Sequence, residues 1–262
     1  MYKRKSVYFR IIRRNSTDIQ QLNDRLDLAL ANYAASTNSH APVNFQVRFA
    51  PFQLYPAVSD EGQDKREWFT TNKHNGSAER MAQFEAVMAS YGEPMGVKFS
   101  WGGTIANTLH AHRVIQWFQG ASPDIKPGDD EEDLFDSKDD MKAAQQRFVT
   151  YGPPVASKII DALYRMYFEE GRHPSSAETL IEACIEAGLP EGEARQVVET
   201  SDGQQLPGLA QVKRKIQMSK ADGVDSVPTV VFEGRRRDLT VTGAKEVYEY
   251  EKALAQIVKE CS

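Results

Sequence analysis

The residues best suited to redox or nucleophilic chemistry in this chain are two cysteines, Cys184 and Cys261, and they are far apart in sequence. That spacing excludes a CxxC redox pair, a disulfide framework and a cysteine zinc site. Cys184 sits beside Ile181 and Ile185 in a helical pattern, where a thiol serves as a small buried hydrophobe. Cys261 is the penultimate residue and lacks the cationic or helix-start surroundings that lower a thiol pKa. Among the histidines, His110 and His112 are two apart on a predicted helix, about 200 degrees around it, so they cannot share a metal. His112 could act as a general acid or base near neutral pH, or make a helix-to-helix hydrogen bond. His110 and His173 read as surface or packing residues. The run Asp124 to Asp140 is acidic and contains Pro and Gly. It reads as a solvated loop rather than a metal site, and no metal is expected.

The composition bounds what these groups can serve. With 262 residues, 40% hydrophobic and 26% charged, the chain has enough apolar surface to form a large domain or a domain with an insertion. A net charge of -5 gives no footprint for nucleic acid and no basic belt for anionic lipid. No apolar run approaches bilayer length, and Met1 to Ser16 is basic without an apolar core, so a cytoplasmic location is expected and a membrane partner is not.

The elements that must position the chemistry follow from periodicity. Ser6 to Arg13 reads as a strand. Asn15-Ser16-Thr17 supplies helix caps, with Thr17 and Gln20 fitting a capping box. Ile19, Leu22, Leu26, Ala29, Leu30 and Tyr33 form the buried stripe of the helix that follows. Val43 to Phe49 alternates as a half-buried strand. At the other end, Val227 to Glu233 and Leu239 to Thr242 read as strands joined by a turn, before a closing helix with Val247, Tyr250, Leu254, Ile257 and Val258 on one face. Between these halves, residues 65–223 are helical. Met81, Phe84, Met88 and Tyr91 form one stripe after the cap residue Ser77. Ile159, Leu163, Met166 and Tyr167 form a second, and Leu180, Cys184 and Ile185 a third. The expected organisation is a two-part α/β domain, 1–64 with 224–262, interrupted by an all-helical insertion at 65–223. A β-α-β half followed by a β-β-α half is the thioredoxin-fold arrangement.

Four stretches resemble the FrnE-type and 2-hydroxychromene-2-carboxylate isomerase branch of the DsbA-like family. Phe49 to Pro56 (FAPFQLYP) is similar to its apolar-Pro-Phe-x-Leu-x-Pro stretch, and Asn107 to Arg113 (NTLHAHR) to its Asn-Thr-x-x-Ala-His-Arg helix. Leu163 to Arg172 (LYRMYFEEGR) resembles its Tyr-Phe-x-Glu-Gly segment. Gly223 to Thr229 (GVDSVPT), followed by Thr242-Gly243-Ala244, resembles its Gly-Val-x-x-Val-Pro loop and Ser-Gly-Ala. The resemblance implies a DsbA-like thioredoxin fold with a cis Val227-Pro228 bond facing the start of the first helix and offering Val227 backbone to an extended thiol-bearing substrate. An ordinary edge-strand proline is the alternative.

The chain departs from the family where the CxxC would lie. Counting back from Arg25 to Leu30, Ser16 falls at the first cysteine position and Ile19 at the second. A serine hydroxyl at a helix start can donate a hydrogen bond to a bound thiolate, as related isomerases and kappa-class glutathione transferases do, or it can simply cap the helix. The resemblance therefore implies Ser16 and His112 as catalytic candidates. Phe52, Trp101, Asn107, Thr108, Val227 and Pro228 are the substrate-binding candidates. Glutathione is the cofactor implied, although Thr242-Gly243-Ala244 stands where the transferases carry Gly-Ser-Asp. Trp68, Phe69 and Trp101 suit an apolar cleft or the packing of the insertion. Three functions follow as expectations. The chain is an isomerase- or transferase-like enzyme acting on an aromatic or polyketide-like small molecule, a redox-inactive binding protein, or a dithiol oxidoreductase with an altered N-terminal segment. A homodimer is compatible with each.

Overall fold

The computed structural model describes residues 5–12, 18–36, 43–125, 132–199, 206–234 and 237–261. The chain opens with β1 (Lys5–Ile12), α1 (Asp18–Ser36) and β2 (Val43–Ala50). A two-residue strand β3 (Gln63–Asp64) leads to α2 (Lys65–Lys73) and α3 (Ala78–Gly92), and β4 (Thr104–Ile105) to α4 (Leu109–Gln119). Then come α5 (Lys138–Thr150), α6 (Gly152–Phe168), α7 (Ala177–Glu186), α8 (Glu191–Val198) and α9 (Leu209–Ala221). The chain closes with β5 (Thr229–Glu233), β6 (Asp238–Thr242) and α10 (Val247–Cys261).

Two compact units emerge, residues 1–52 with 215–262, and residues 53–214. The first division falls earlier than periodicity suggested. Segment 53–64 has no helical or strand repeat of its own, but its side chains and carbonyls bond within the second unit, as shown below. The second division falls inside α9.

The first unit is a four-stranded sheet in the order β2-β1-β5-β6. β1 and β2 run parallel, with Val7 opposite Phe45 and Ile11 opposite Phe49. Because a parallel pair needs a crossover, α1 occupies the connection. β5 runs antiparallel to both β1 and β6, with Ile12 opposite Thr229 and Val230 opposite Val241. Leu26 and Ala29 from α1, Val230 and Phe232 from β5, and Tyr250, Leu254 and Ile257 from α10 are buried together as its core residues. Phe232 stacks on Tyr250 at 6.5 Å, and Tyr33 meets Phe45 edge-on at 5.2 Å. Arg48 on β2 pairs with Glu233 on β5 at 2.8 Å, reaching across β1. Arg25 ties α1 to the turn before α10 through Lys245 O at 3.1 Å and Glu246 at 3.2 Å.

The second unit is helical apart from the β3–β4 pair. Caps set its helix starts. Ser77 accepts from Arg80 N, Ser137 from Asp140 N and Ser176 from Thr179 N. Val114, Phe118, Ile159, Met166, Leu180 and Cys184 lie in its core. Two stripe positions turn outward instead. Tyr91 is 59% exposed, because at the end of α3 the buried Gly92 takes the close contact with Val97 and Phe99. Ile185 is 42% exposed, one position past the buried Cys184 on α7. The acidic run is not wholly solvated either. Leu134 is buried, and Arg214 binds Leu134 O at 2.9 Å and Asp136 at 2.5 Å.

Candidate functional site

In the first unit the candidate residues gather where α9 returns to the sheet. Helix α9 ends at Ala221, and two residues on the φ of 76° at Gly223 lets Val224 N donate back to Ser219 O at 3.2 Å. The loop then reaches Val227 and Pro228, both buried, and the Val227-Pro228 bond is cis. Two bonds strap this loop. Thr229 Oγ1 donates to Ser226 O at 2.8 Å, and Gly243 N donates to Pro228 O at 2.8 Å. Gly243 has φ 84°, so the Thr242-Gly243-Ala244 stretch owes its glycine to the turn that delivers this donor. Phe52 is half-buried just beyond the buried Pro51. Ser16 and Thr17 lie outside the described residues, as do Asn15 and the capping box.

In the second unit Asn107 is a structural fastener. Its Oδ1 accepts from Leu109 N at 2.9 Å and from Gln53 Nε2 at 2.6 Å, while its Nδ2 donates to Pro56 O at 3.0 Å. Its backbone N also donates to Ser59 O at 3.0 Å. Asn107 therefore both caps α4 and holds segment 53–59. Thr108 occupies the N-cap position without a side-chain cap bond, and its carbonyl accepts from His112 N at 3.0 Å. Thr108 and His112 are half-buried, so the structure places these residues together along the first turn and a half of α4.

The next residue, Arg113, is almost fully buried. Its Nη1 donates to Val197 O at 2.6 Å and Pro207 O at 3.2 Å, so the guanidinium caps the C-terminal end of α8. Burial lowers the Arg113 pKa to about 10. Burial also pushes the Cys184 thiol up to about 12, with Arg113 partly opposing it. A thiol in that condition is neither nucleophile nor redox centre at neutral pH. Burial first, and then the charge of Arg113, hold His110 below its ordinary value. His173 accepts from Ser175 N at Nδ1, which leaves its Nε2 to donate to Asp60 O at 3.1 Å.

Trp101 belongs to a run of half-buried rings. It meets Phe84 at 5.2 Å and Phe69 at 5.7 Å, and Phe69 in turn meets Trp68 at 5.2 Å and Tyr55 at 6.3 Å. The offset and edge-on geometries are those that aromatic quadrupoles favour. In the same unit Lys65 is buried, donating from Nζ to Tyr167 O at 2.8 Å and Ser100 O at 2.9 Å and lying 4.4 Å from the Tyr167 ring centre. Lys65 and Tyr55 carried no signal in the periodicity. The one available clue was a cation at the first position of α2, the end of a helix that disfavours positive charge. Among the described residues no group of three or more His, Cys, Asp or Glu side chains could hold a metal ion, and no helix is long and apolar enough to cross a membrane.

The sheet order, the cis bond and the helical unit inserted between the halves define a DsbA-like thioredoxin fold. Residues 135–255 match the DSBA-like thioredoxin domain, a segment that carries the Val227-Pro228 loop and begins well past the start of α1. The chain is similar in structure to a probable DsbA oxidoreductase from Streptomyces coelicolor, at 19% identity and a TM-score of 0.65, covering 97% of this chain and 91% of that one. A putative protein disulfide isomerase from Nitrosomonas europaea is similar at 12% identity and a TM-score of 0.56, over 99% and 100% of the two chains. A 2-hydroxychromene-2-carboxylate isomerase is similar at 11% identity and a TM-score of 0.50, over 98% and 97%. No curated protein sequence matches the chain.

Proposed function

We propose that this chain is an enzyme of small-molecule isomerase or glutathione-transferase type, working on a DsbA-like thioredoxin fold without dithiol chemistry. The placement of the cysteines carries the reading. Cys184 is buried in the second unit with its thiol pushed up to about 12, and Cys261 ends α10 in the first, so neither stands beside a partner thiol in sequence or within a unit. The Val227-Pro228 loop is nevertheless kept and doubly strapped. We read that loop as kept for contact with an extended, thiol-bearing ligand in place of redox chemistry.

Ser16 is assigned the role of donating its hydroxyl proton in a hydrogen bond to a bound thiolate at the start of α1, a position where the helix dipole favours negative charge. Val227 is assigned the backbone contact to that ligand. Taken by itself, the ring run of the second unit supports binding of a flat aromatic group. The commitment of the Asn107 side chain to Leu109, Gln53 and Pro56 favours a second reading, a binding protein that performs no chemistry.

Calorimetric titration with reduced glutathione, on the parent and on Ser16→Ala, tests the proposal. Saturable binding to the parent that weakens about tenfold in the variant is the expected result. Absence of binding to both removes the thiol-dependent form of the reading, and equal binding removes Ser16 from it.

A further inference from the structure

At the Tyr55 end of the ring run, a cation already lies against aromatic faces. Tyr55 and Trp68 meet at 4.7 Å with their planes inclined by 55°, forming a corner of two half-buried rings. Phe69 closes its inner side, edge-on to both rings at 6.3 and 5.2 Å. Into this corner the last residue of α2, Lys73, brings its ammonium to 4.4 Å from the Tyr55 ring centre and 5.5 Å from that of Trp68. Lys73 is exposed and has no carboxylate partner among the described residues. In a chain with more acidic than basic side chains, its charge is directed to rings instead.

We infer that the Tyr55–Trp68 corner is an organic-cation site, held in the free chain by its own Lys73 and open to a quaternary or methylated ammonium group that displaces it. The ring quadrupoles attract any cation placed over their faces. A lysine ammonium is compact and strongly hydrated, so it gives up much solvation to sit there. A quaternary ammonium gives up less and adds apolar contact from its methyl groups to Tyr55, Trp68 and Phe69. Lys73 competes intramolecularly and lowers the apparent affinity by the fraction of time it fills the corner. This inference is independent of the catalytic reading, because it uses neither the Val227-Pro228 loop nor Ser16.

The test follows the Trp68 indole N–H by NMR, assigned with Trp68→Phe, during titration with tetramethylammonium chloride. Sodium chloride at equal ionic strength is the control. Lys73→Ala removes only an exposed side chain and leaves the rings in place. Tetramethylammonium is expected to shift the indole signal of Lys73→Ala with about three- to sixfold tighter binding than the parent, and Tyr55→Ala introduced into Lys73→Ala is expected to abolish the response. The inference is overturned if Lys73→Ala binds no more tightly than the parent, or if sodium chloride produces the same shift.

Discussion

Lys65 can be tested through the pH dependence of stability. Burial pushes its ammonium from 10.5 down to about 8, with the neighbouring Asp64 carboxylate pulling the other way. The native state therefore releases its proton at a lower pH than the unfolded chain does. Between pH 8 and 10.5 the unfolded state holds more protons, so the contribution of this group to stability rises with pH across that window and is at its most unfavourable below it. The gap corresponds to about 3 kcal/mol at pH 7 for a side chain that is only 2% exposed. Release of the proton does not dismantle the site, because a neutral amine still has two N–H donors for Tyr167 O and Ser100 O. Lys65→Met removes the titration and leaves both carbonyls without that donor. Urea unfolding of parent and variant at pH 7.5 and 9.5 should show the parent gaining about 2 kcal/mol relative to Lys65→Met, by integrating the two proton equilibria. Direct NMR titration of the labelled Nζ in the parent should give a midpoint near 8. A midpoint at the ordinary lysine value, with parallel stability profiles, would refute the argument.

Three further outcomes rest on named contacts. Arg113→Met strips buried carbonyls of Val197 and Pro207 of their donor and should lower stability by about 3 kcal/mol in urea unfolding, whereas a loss under 1 would mean that water replaces the guanidinium. Cys184, in a Cys261→Ser background, should resist a chromogenic disulfide reagent at pH 8 until the chain is denatured, and rapid reaction of the folded protein would contradict its burial. Gly103→Ala places a Cβ 1.8 Å from Gly171 O at a φ of 88°, while Gly188→Ala has open space at a φ of 93°. The first should cost about 3 kcal/mol and the second about 1, and equal losses would show that backbone strain alone matters.

The legible part of this fold was the part written in periodicity. The β1-α1-β2 and β5-β6-α10 halves could be drawn from alternation and from a stripe such as Val247 to Val258, because each element buries one face. In sequence, segment 53–64 reads with the first half, 1–64, since nothing local marks it as part of the helical unit to which it belongs. Long-range contacts attach it to the second unit, among them the bonds of Gln53, Pro56 and Ser59 with Asn107, some fifty residues away, and that of Asp60 O with His173. The ring run was half legible. Trp68, Phe69 and Trp101 stood out as large apolar residues, but the corner made with Tyr55 and the burial of Lys65 depend on pairings that no spacing rule encodes.

The motif residues themselves point to architecture more than to chemistry. Asn107 caps α4 and fastens a loop, and Arg113 caps α8. Gly171 admits the Gly102-Gly103 backbone so closely that a Cβ on it would lie 2.7 Å from Gly102 O. Gly223 lets Val224 N bond back to α9, and Gly243 supplies the donor to Pro228 O. Each satisfies a backbone group or a close approach that this fold requires whatever reaction it hosts. A resemblance carried on such positions therefore fixes the scaffold and leaves the activity open. The activity has to be argued from positions the scaffold does not need. Those are the serine proposed to stand where a cysteine would, the rings around Trp101 and the cation in the Tyr55–Trp68 corner, and the rings and the cation can be altered without disturbing a cap or a glycine turn.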